Sequence, residues 1–350
     1  MRLDICGVKA FIPRRGSSFK KQYAERIRLI ICLLFVFSVL LFGYRTMPVQ
    51  AASPITSSGL NTQVSLPSTL PSGKVQYDIT GGTRPVGGTN LFHSFGDFNV
   101  PNNNVANFLN GLSFDLAGSQ LAAGLPTSNI LGRVTGGNIS TIFGMIQATN
   151  FGNANLFLMN PAGFLFGPNA TVQVGGMVSF TSADYLRLAD GVRFNAIANP
   201  GADVLLSAAP VAAFGFLGSN PGAIIVQGSQ LSVADGTGIS LVGGSITIQS
   251  GTPDGGTPQP ARLVAPNGTI QLASAASPGE FDAATLQPLP NVNDTSFTSF
   301  GSVSLAPGSN INVGGEQTVS IRGGQVVLSV NDALLSTAQR SGPPETISLS

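Results

Sequence analysis

Tryptophan is absent from this 350-residue sequence, histidine occurs once and cysteine twice. Both cysteines, Cys6 and Cys32, fall within the first 51 residues, so the remainder can build neither a disulfide framework nor a thiolate zinc site. One imidazole, His93, cannot hold a metal by itself, and Asp97 four residues on defines no approach between the two side chains; His93 therefore reads as structural. Charged residues make up only 9% of the chain, too few for a basic nucleic-acid face. The acids stand singly, at Asp78, Asp97, Asp115, Asp184, Asp190, Asp203, Asp235 and Asp254, apart from Glu280 and Asp282 at i, i+2. A glycoside hydrolase needs two carboxylates facing one bond, and a lyase on acidic sugars needs clustered cations, whereas eight bases serve everything after residue 51. A polysaccharide-active enzyme is thus a minor alternative, and no catalytic, cofactor-binding or metal-binding residue is assigned. With only Tyr77 and Tyr185 as candidate girdle residues after the leader, an outer-membrane barrel is excluded as well.

The first 51 residues differ from the rest. They carry nine Lys or Arg against Asp4 and Glu25, a charge of +7, which leaves eight bases and 14 acids, or −6, for the remainder. The 14 uncharged residues from Leu29 to Phe42 follow Arg26 and Arg28, and Val49-Gln50-Ala51 presents small or apolar residues at the −3 and −1 positions. This is the pattern of a signal peptide cleaved between Ala51 and Ala52. A membrane anchor would need roughly 20 apolar residues. The absence of cysteine from the mature part suits a chain that crosses a second membrane unfolded.

What is abundant is glycine (44), proline (23) and, at 43%, hydrophobic residues. Disorder would explain the first two but not the third. Apolar-polar-apolar triplets recur between glycines: Leu231-Ser232-Val233, Ile239-Ser240-Leu241, Ile246-Thr247-Ile248, Ile270-Gln271-Leu272, Val303-Ser304-Leu305, Ile311-Asn312-Val313 and Val319-Ser320-Ile321. Such alternation predicts very short strands with one buried and one wet face. No triplet is stable alone, but stacked at about 4.8 Å they form continuous aliphatic ladders. Residues Val105 to Gln120, with Phe108, Leu112 and Leu116 four apart, read as a loop or short helix. The stretches Gly251 to Pro260 and Pro278 to Asp294 should loop out from the repeats.

The most informative segment is Asn155 to Gly176, NLFLMNPAGFLFGPNATVQVGG. Asn160-Pro161-Ala162-Gly163 has type I turn preferences, Gly167-Pro168-Asn169-Ala170 is a second turn, and Gly175-Gly176 a third corner. Three strands and three corners in about 20 residues predict one rung of a right-handed parallel β-helix. Residues 53–100 are irregular enough to cap its N-terminal end. Ile347-Ser348-Leu349-Ser350 ends on the strand pattern, so a covering or continuing segment outside this sequence is expected. Fourteen of the 17 phenylalanines after the leader lie between Phe92 and Phe216, which divides the chain into residues 1–51, a Phe-rich 52–217 with cap and extra-helical hairpins, and an aliphatic shaft over 218–350.

The same segment resembles the N-terminal secretion domain of filamentous haemagglutinin and haemolysin exoproteins, where an Asn-Pro-Asn-Gly turn is a hallmark. Asn160, Pro161 and Gly163 match, and Ala162 replaces the third residue. Asn153-Ala154-Asn155-Leu156 is a degenerate relative of the family's Asn-Pro-Asn-Leu motif. Further blocks in the right order are Gly81-Gly82-Thr83-Arg84-Pro85, Asn90-Leu91-Phe92-His93-Ser94-Phe95, Phe98-Asn99-Val100 and Gly132-Arg133-Val134-Thr135-Gly136-Gly137. The resemblance implies an all-β, pectin-lyase-like solenoid, exported through the general secretion machinery and periplasm of a Gram-negative-type bacterium. It also implies an Omp85-type outer-membrane transporter as partner, and an adhesin that meets host or neighbouring cell surfaces or glycans. A structural surface or matrix filament is the alternative. Asn160, Pro161 and Gly163 are then secretion-motif residues, acting through recognition by the transporter or through nucleation of the first rungs.

Overall fold

The computed structural model describes residues 3–5, 8–10, 53–85, 87–111, 124–289, 297–307, 309–314, 318–328, 334–335 and 347–349. The chain divides into two units, residues 1–52 and 53–350. In the first, β1 (Leu3–Ile5) and β2 (Val8–Ala10) pair antiparallel. The apolar run 29–42, Ala51 and Ala52 lie outside the described residues.

The second unit begins with antiparallel strands. β3 (Ile55–Gly59), β4 (Thr62–Val64) and β5 (Ser68–Thr69) form the cap, with β4 and β5 along β6 (Val75–Gly81) and β3 along β7 (Asn90–Phe98). From β6 onward the ladders of the helix itself are parallel. β8 (Asn104–Leu109) and β9 (Asn129–Val134) stack on β6 and β7. Complete circuits follow in β10 (Ser140–Ile142), β11 (Met145–Thr149) and β12 (Asn155–Met159), then in β13 (Phe164–Phe166), β14 (Thr171–Gln173) and β15 (Val178–Thr181). After an excursion through β16 (Tyr185–Leu188), β17 (Arg193–Asn195), the short helix α1 (Pro200–Asp203) and β18 (Val211–Phe216), circuits resume in β19 (Ile224–Gln227), β20 (Gln230–Ser232) and β21 (Gly238–Gly243). β22 (Ile246–Gln249), β23 (Ala261–Val264) and β24 (Thr269–Ser274) form the next circuit, and β25 (Gly279–Asp282) and β26 (Pro288–Leu289) a second excursion. The last circuits are β27 (Ser302–Leu305), β28 (Ser309–Asn312) and β29 (Val319–Arg322), then β30 (Gln325–Leu328), β31 (Leu334–Leu335) and β32 (Ile347–Leu349).

This is a parallel β-helix. Its longest sheet has nine strands in the order β3-β7-β9-β12-β15-β21-β24-β29-β32. Along it Leu91, Ile130, Leu156, Val178, Ile239, Ile270 and Val319 stand in register, all buried. Burying an aliphatic side chain of this size contributes about 1.5–3 kcal/mol, but only stacking removes the side chain from water on both flanks. Within the helix the earlier circuits are aromatic, with Phe166 and Phe180 edge to face at 4.7 Å.

Three expectations change. Residues 53–100 are not all cap, because β6 and β7 already belong to the parallel ladders. Residues 105–109 are strand, in β8, because Ala106 and Phe108 alternate into the core between parallel neighbours; residues 112–120 lie outside the described residues. The rule of one wet face also fails for the nine-stranded sheet. There β15 and β21 are buried on both faces, because an antiparallel sheet of order β17-β16-β18-β25-β26 lies over the outer face. Between the two sheets sits a second core that includes Phe92, Phe157, Phe194, Phe214 and Phe281. The second excursion therefore does loop out, as expected, but it lands as strands in this covering sheet. Residues on both sides of position 217 share ladders, β13 with β19 and β15 with β21.

Candidate functional site

Residues 160–163 form the corner between β12 and β13. Gly163 N–H donates to Asn160 O at 2.8 Å, closing the turn, and Asn160 Oδ1 accepts from Ala162 N–H at 3.0 Å. Pro at the second position pre-sets φ, and the asparagine side chain copies a backbone turn. Asn160 is fully buried. Its Nδ2 donates to Asn138 O and Ser140 Oγ, both at 2.9 Å, in the preceding circuit, while its backbone N–H donates to Thr181 O at 2.9 Å in the following one. One residue thus ties three levels of the helix. Pro161 O accepts from Gly222 N–H at 3.0 Å, which seats the next corner on this one.

Gly163 is constrained twice. Its φ is +97°, and a Cβ there would lie 2.2 Å from Ala223 O, the same oxygen that accepts from Phe164 N–H at 3.0 Å. The second turn closes with Ala170 N–H on Gly167 O at 2.9 Å.

A second polar feature begins at Asn155. Asn90, Asn129 and Asn155 occupy matching positions at the starts of β7, β9 and β12. Asn155 Nδ2 donates to Asn129 Oδ1 at 3.0 Å and Asn129 Nδ2 to Asn90 Oδ1 at 2.9 Å; Asn155 Oδ1 accepts from Met177 N–H at 3.0 Å. Asn90 Nδ2 in turn donates to Ser207 O and Ala209 O in the excursion. The recurring dipeptides Asn90-Leu91, Asn129-Ile130 and Asn155-Leu156 carried that signal in the sequence.

Other polar groups are held internally. Arg133 is buried, with Nη1 and Nη2 each 2.7 Å from the Asp203 carboxylate, Nε donating to Ser94 Oγ at 2.9 Å and Nη1 to Asn195 O at 3.1 Å. It anchors the first excursion to the helix, and nothing in the sequence paired it with an acid 70 residues away. Glu280 accepts from Tyr185 Oη at 2.7 Å and from Arg187 Nε at 2.9 Å. Burial, then the Glu280 hydrogen bond, raise the Tyr185 hydroxyl above its usual range. Asp282 accepts from Ala284 N–H, Thr285 N–H and Thr285 Oγ1, so the one i, i+2 acid pair is occupied by structural partners. His93 is buried beneath the cap, with Nδ1 3.3 Å from Thr62 Oγ1, and Asp97 instead accepts from Asn138 Nδ2. Among the described residues no group of three His, Cys, Asp or Glu could hold a metal ion.

A family model described as "TPS secretion domain" matches residues 52–328. No curated protein matches. Among solved structures 13 chains match. One of them, described as "Crystal structure of filamentous hemagglutinin secretion domain", is 18% identical, covers 85% of this chain and 99% of its own, and superposes with a TM-score of 0.40.

Proposed function

The chain belongs to the TPS secretion domain family, and on that premise we propose that the 160–163 corner serves export by nucleating the stack of rungs outside the cell. Membership makes it an exoprotein of two-partner secretion, carried across the outer membrane to a secreted or surface position, with an outer-membrane transporter as partner. We assign that transporter to the Omp85 type and residues 1–51 to a signal peptide removed before export.

The observation that carries the nucleation reading is the burial of Asn160. Its side chain makes every hydrogen bond inside the fold, so a partner of the folded chain has no access to it. Export without a nucleotide supply needs a thermodynamic pull, and each rung completed outside resists backsliding. The corner that bonds to the circuits before and after it is where such stacking starts.

Gly163→Val and Ala162→Asn test this in cells that co-express the transporter. Gly163→Val should lower the secreted yield and the refolding rate together, since a Cβ there meets Ala223 O. Ala162→Asn, at a half-buried position, should leave both unchanged. A Gly163→Val chain that refolds at the normal rate but stays in the periplasm would show that the corner is read by the transporter in the unfolded chain. For the exported product we propose adhesion, supported by the resemblance of the motif blocks to filamentous haemagglutinins. Binding of the secreted chain to cells and glycan arrays tests it, and failure to bind either leaves a filament-type surface protein.

A further inference from the structure

We propose that His93 is a proton-operated latch that holds the antiparallel cap on the first parallel strands. The imidazole is wedged inside the helix between β7 and the cap. Thr62 Oγ1, on cap strand β4, lies 3.3 Å from His93 Nδ1 and accepts from Ser94 N–H at 2.9 Å. One hydroxyl therefore accepts from the β7 backbone and, in the tautomer that leaves Nδ1 bare, donates to the neutral ring. Phe108 meets the ring edge to face at 5.6 Å and Phe95 stacks at 6.0 Å. A Cβ on Gly82 would fall 2.9 Å from His93 Cε1, so the strap after β6 closes the remaining side.

Protonating Nδ1 turns the acceptor of the Thr62 hydroxyl into a donor, so Oγ1 then takes both Ser94 N–H and Nδ1–H and the hydroxyl proton is left without a partner. It also places a charge where, among the described residues, no counter-charge faces it. From the strap the charged neighbour is Arg84, of the same sign. From β6 the ionisable group in the core is Tyr77, while Asp78 accepts from Gln76 and Asn107 side chains. β3, β4 and β8 carry no ionisable residue, and Arg133 of β9 is bound to Asp203. Burial, then Arg84, depress the His93 pKa from 6.5 to about 3. Because the folded value lies below the unfolded one, the capped state is favoured fully above pH 6.5 and loses that advantage as the pH falls toward 3.

The cap is the part able to yield. β3 is exposed along most of its length and its pairing with β7 shifts register twice. Its release would bare the edges of β6 and β7, which a second copy of the chain could extend by strand addition.

Hydrogen exchange of the secreted chain at pH 8 and pH 5, corrected for intrinsic rates, tests the latch. Amides of 55–64 should open about 30-fold more often at pH 5, while those of β21 and β24 keep their protection. His93→Gln, which preserves an acceptor for Thr62 without titrating, should flatten the response. Should that variant fail to fold, the carbon shifts of His93 in the wild-type chain replace it, and they should report a neutral ring at pH 5 in the capped state. The latch is overturned if cap exchange is independent of pH, if His93→Gln keeps the wild-type response, if His93 is already charged at pH 5, or if the cap and β21 lose protection together.

Discussion

Replacing Asn160 by Asp changes one NH2 group into an oxygen and leaves the shape intact. The Oδ1 bond to Ala162 N–H survives, but the new oxygen faces Asn138 O, an acceptor at 2.9 Å, and Ser140 Oγ must reverse its proton to serve it. The site is fully buried. A carboxylate there is an unpaired buried charge, costing about 3–5 kcal/mol, unless it takes up a proton and donates to Asn138 O. Its pKa in the folded chain is therefore raised above the ordinary Asp value of about 3.9. With a raised folded pKa the penalty is full above that value and fades as the pH falls toward about 4. Asn160→Ala instead loses three hydrogen bonds at roughly 1 kcal/mol each, with no pH dependence. Urea unfolding of both variants and wild type at pH 8 and pH 4.5 measures the gaps. The expected result is a similar loss for both variants at pH 8 and a smaller one for Asn160→Asp alone at pH 4.5. If Asn160→Asp costs less than about 1 kcal/mol at pH 8, the residue is not the buried three-level tie described above, and the nucleation account loses its basis.

Arg133→Met should destabilise the chain by about 3 kcal/mol, since it strands Asp203, whereas adding Asp203→Leu should restore much of the loss; urea midpoints of the single and double variants decide it. Signal cleavage predicts a mature N-terminus at Ala52, which N-terminal sequencing of exported material reads directly, and a chain beginning before residue 29 would refute it.

The seven apolar-polar-apolar triplets and the Pro- and Gly-rich corners made the β-helix legible, because period-2 alternation and turn chemistry are local and need no knowledge of distant residues. Leu231, Ile239, Ile246, Ile270, Val303, Ile311 and Val319 all point into the core. The same locality misled at 105–109, where the four-residue spacing of Phe108, Leu112 and Leu116 suggested a loop or short helix but the neighbouring strands β6 and β11 impose extension. The Asn160 turn was visible as a turn; its bonds to Asn138, Ser140 and Thr181 were not, because they cross between circuits whose register only stacking sets.

The sequence by itself determined the strand and corner units, and the ladder-forming side chains that each needs a neighbour above and below. Tertiary structure alone decided which outer faces stay wet. Ser240, the middle of the Ile239-Ser240-Leu241 triplet, reads as a solvent-facing position, yet it and its ladder partner Ser179 are both buried, because segments far along the chain fold back as a covering sheet. That choice rests on Phe194, Phe214 and Phe281 finding an apolar surface on the outside of the helix, and on Arg133 finding Asp203. Both are contacts between segments that alternation along any one strand does not encode.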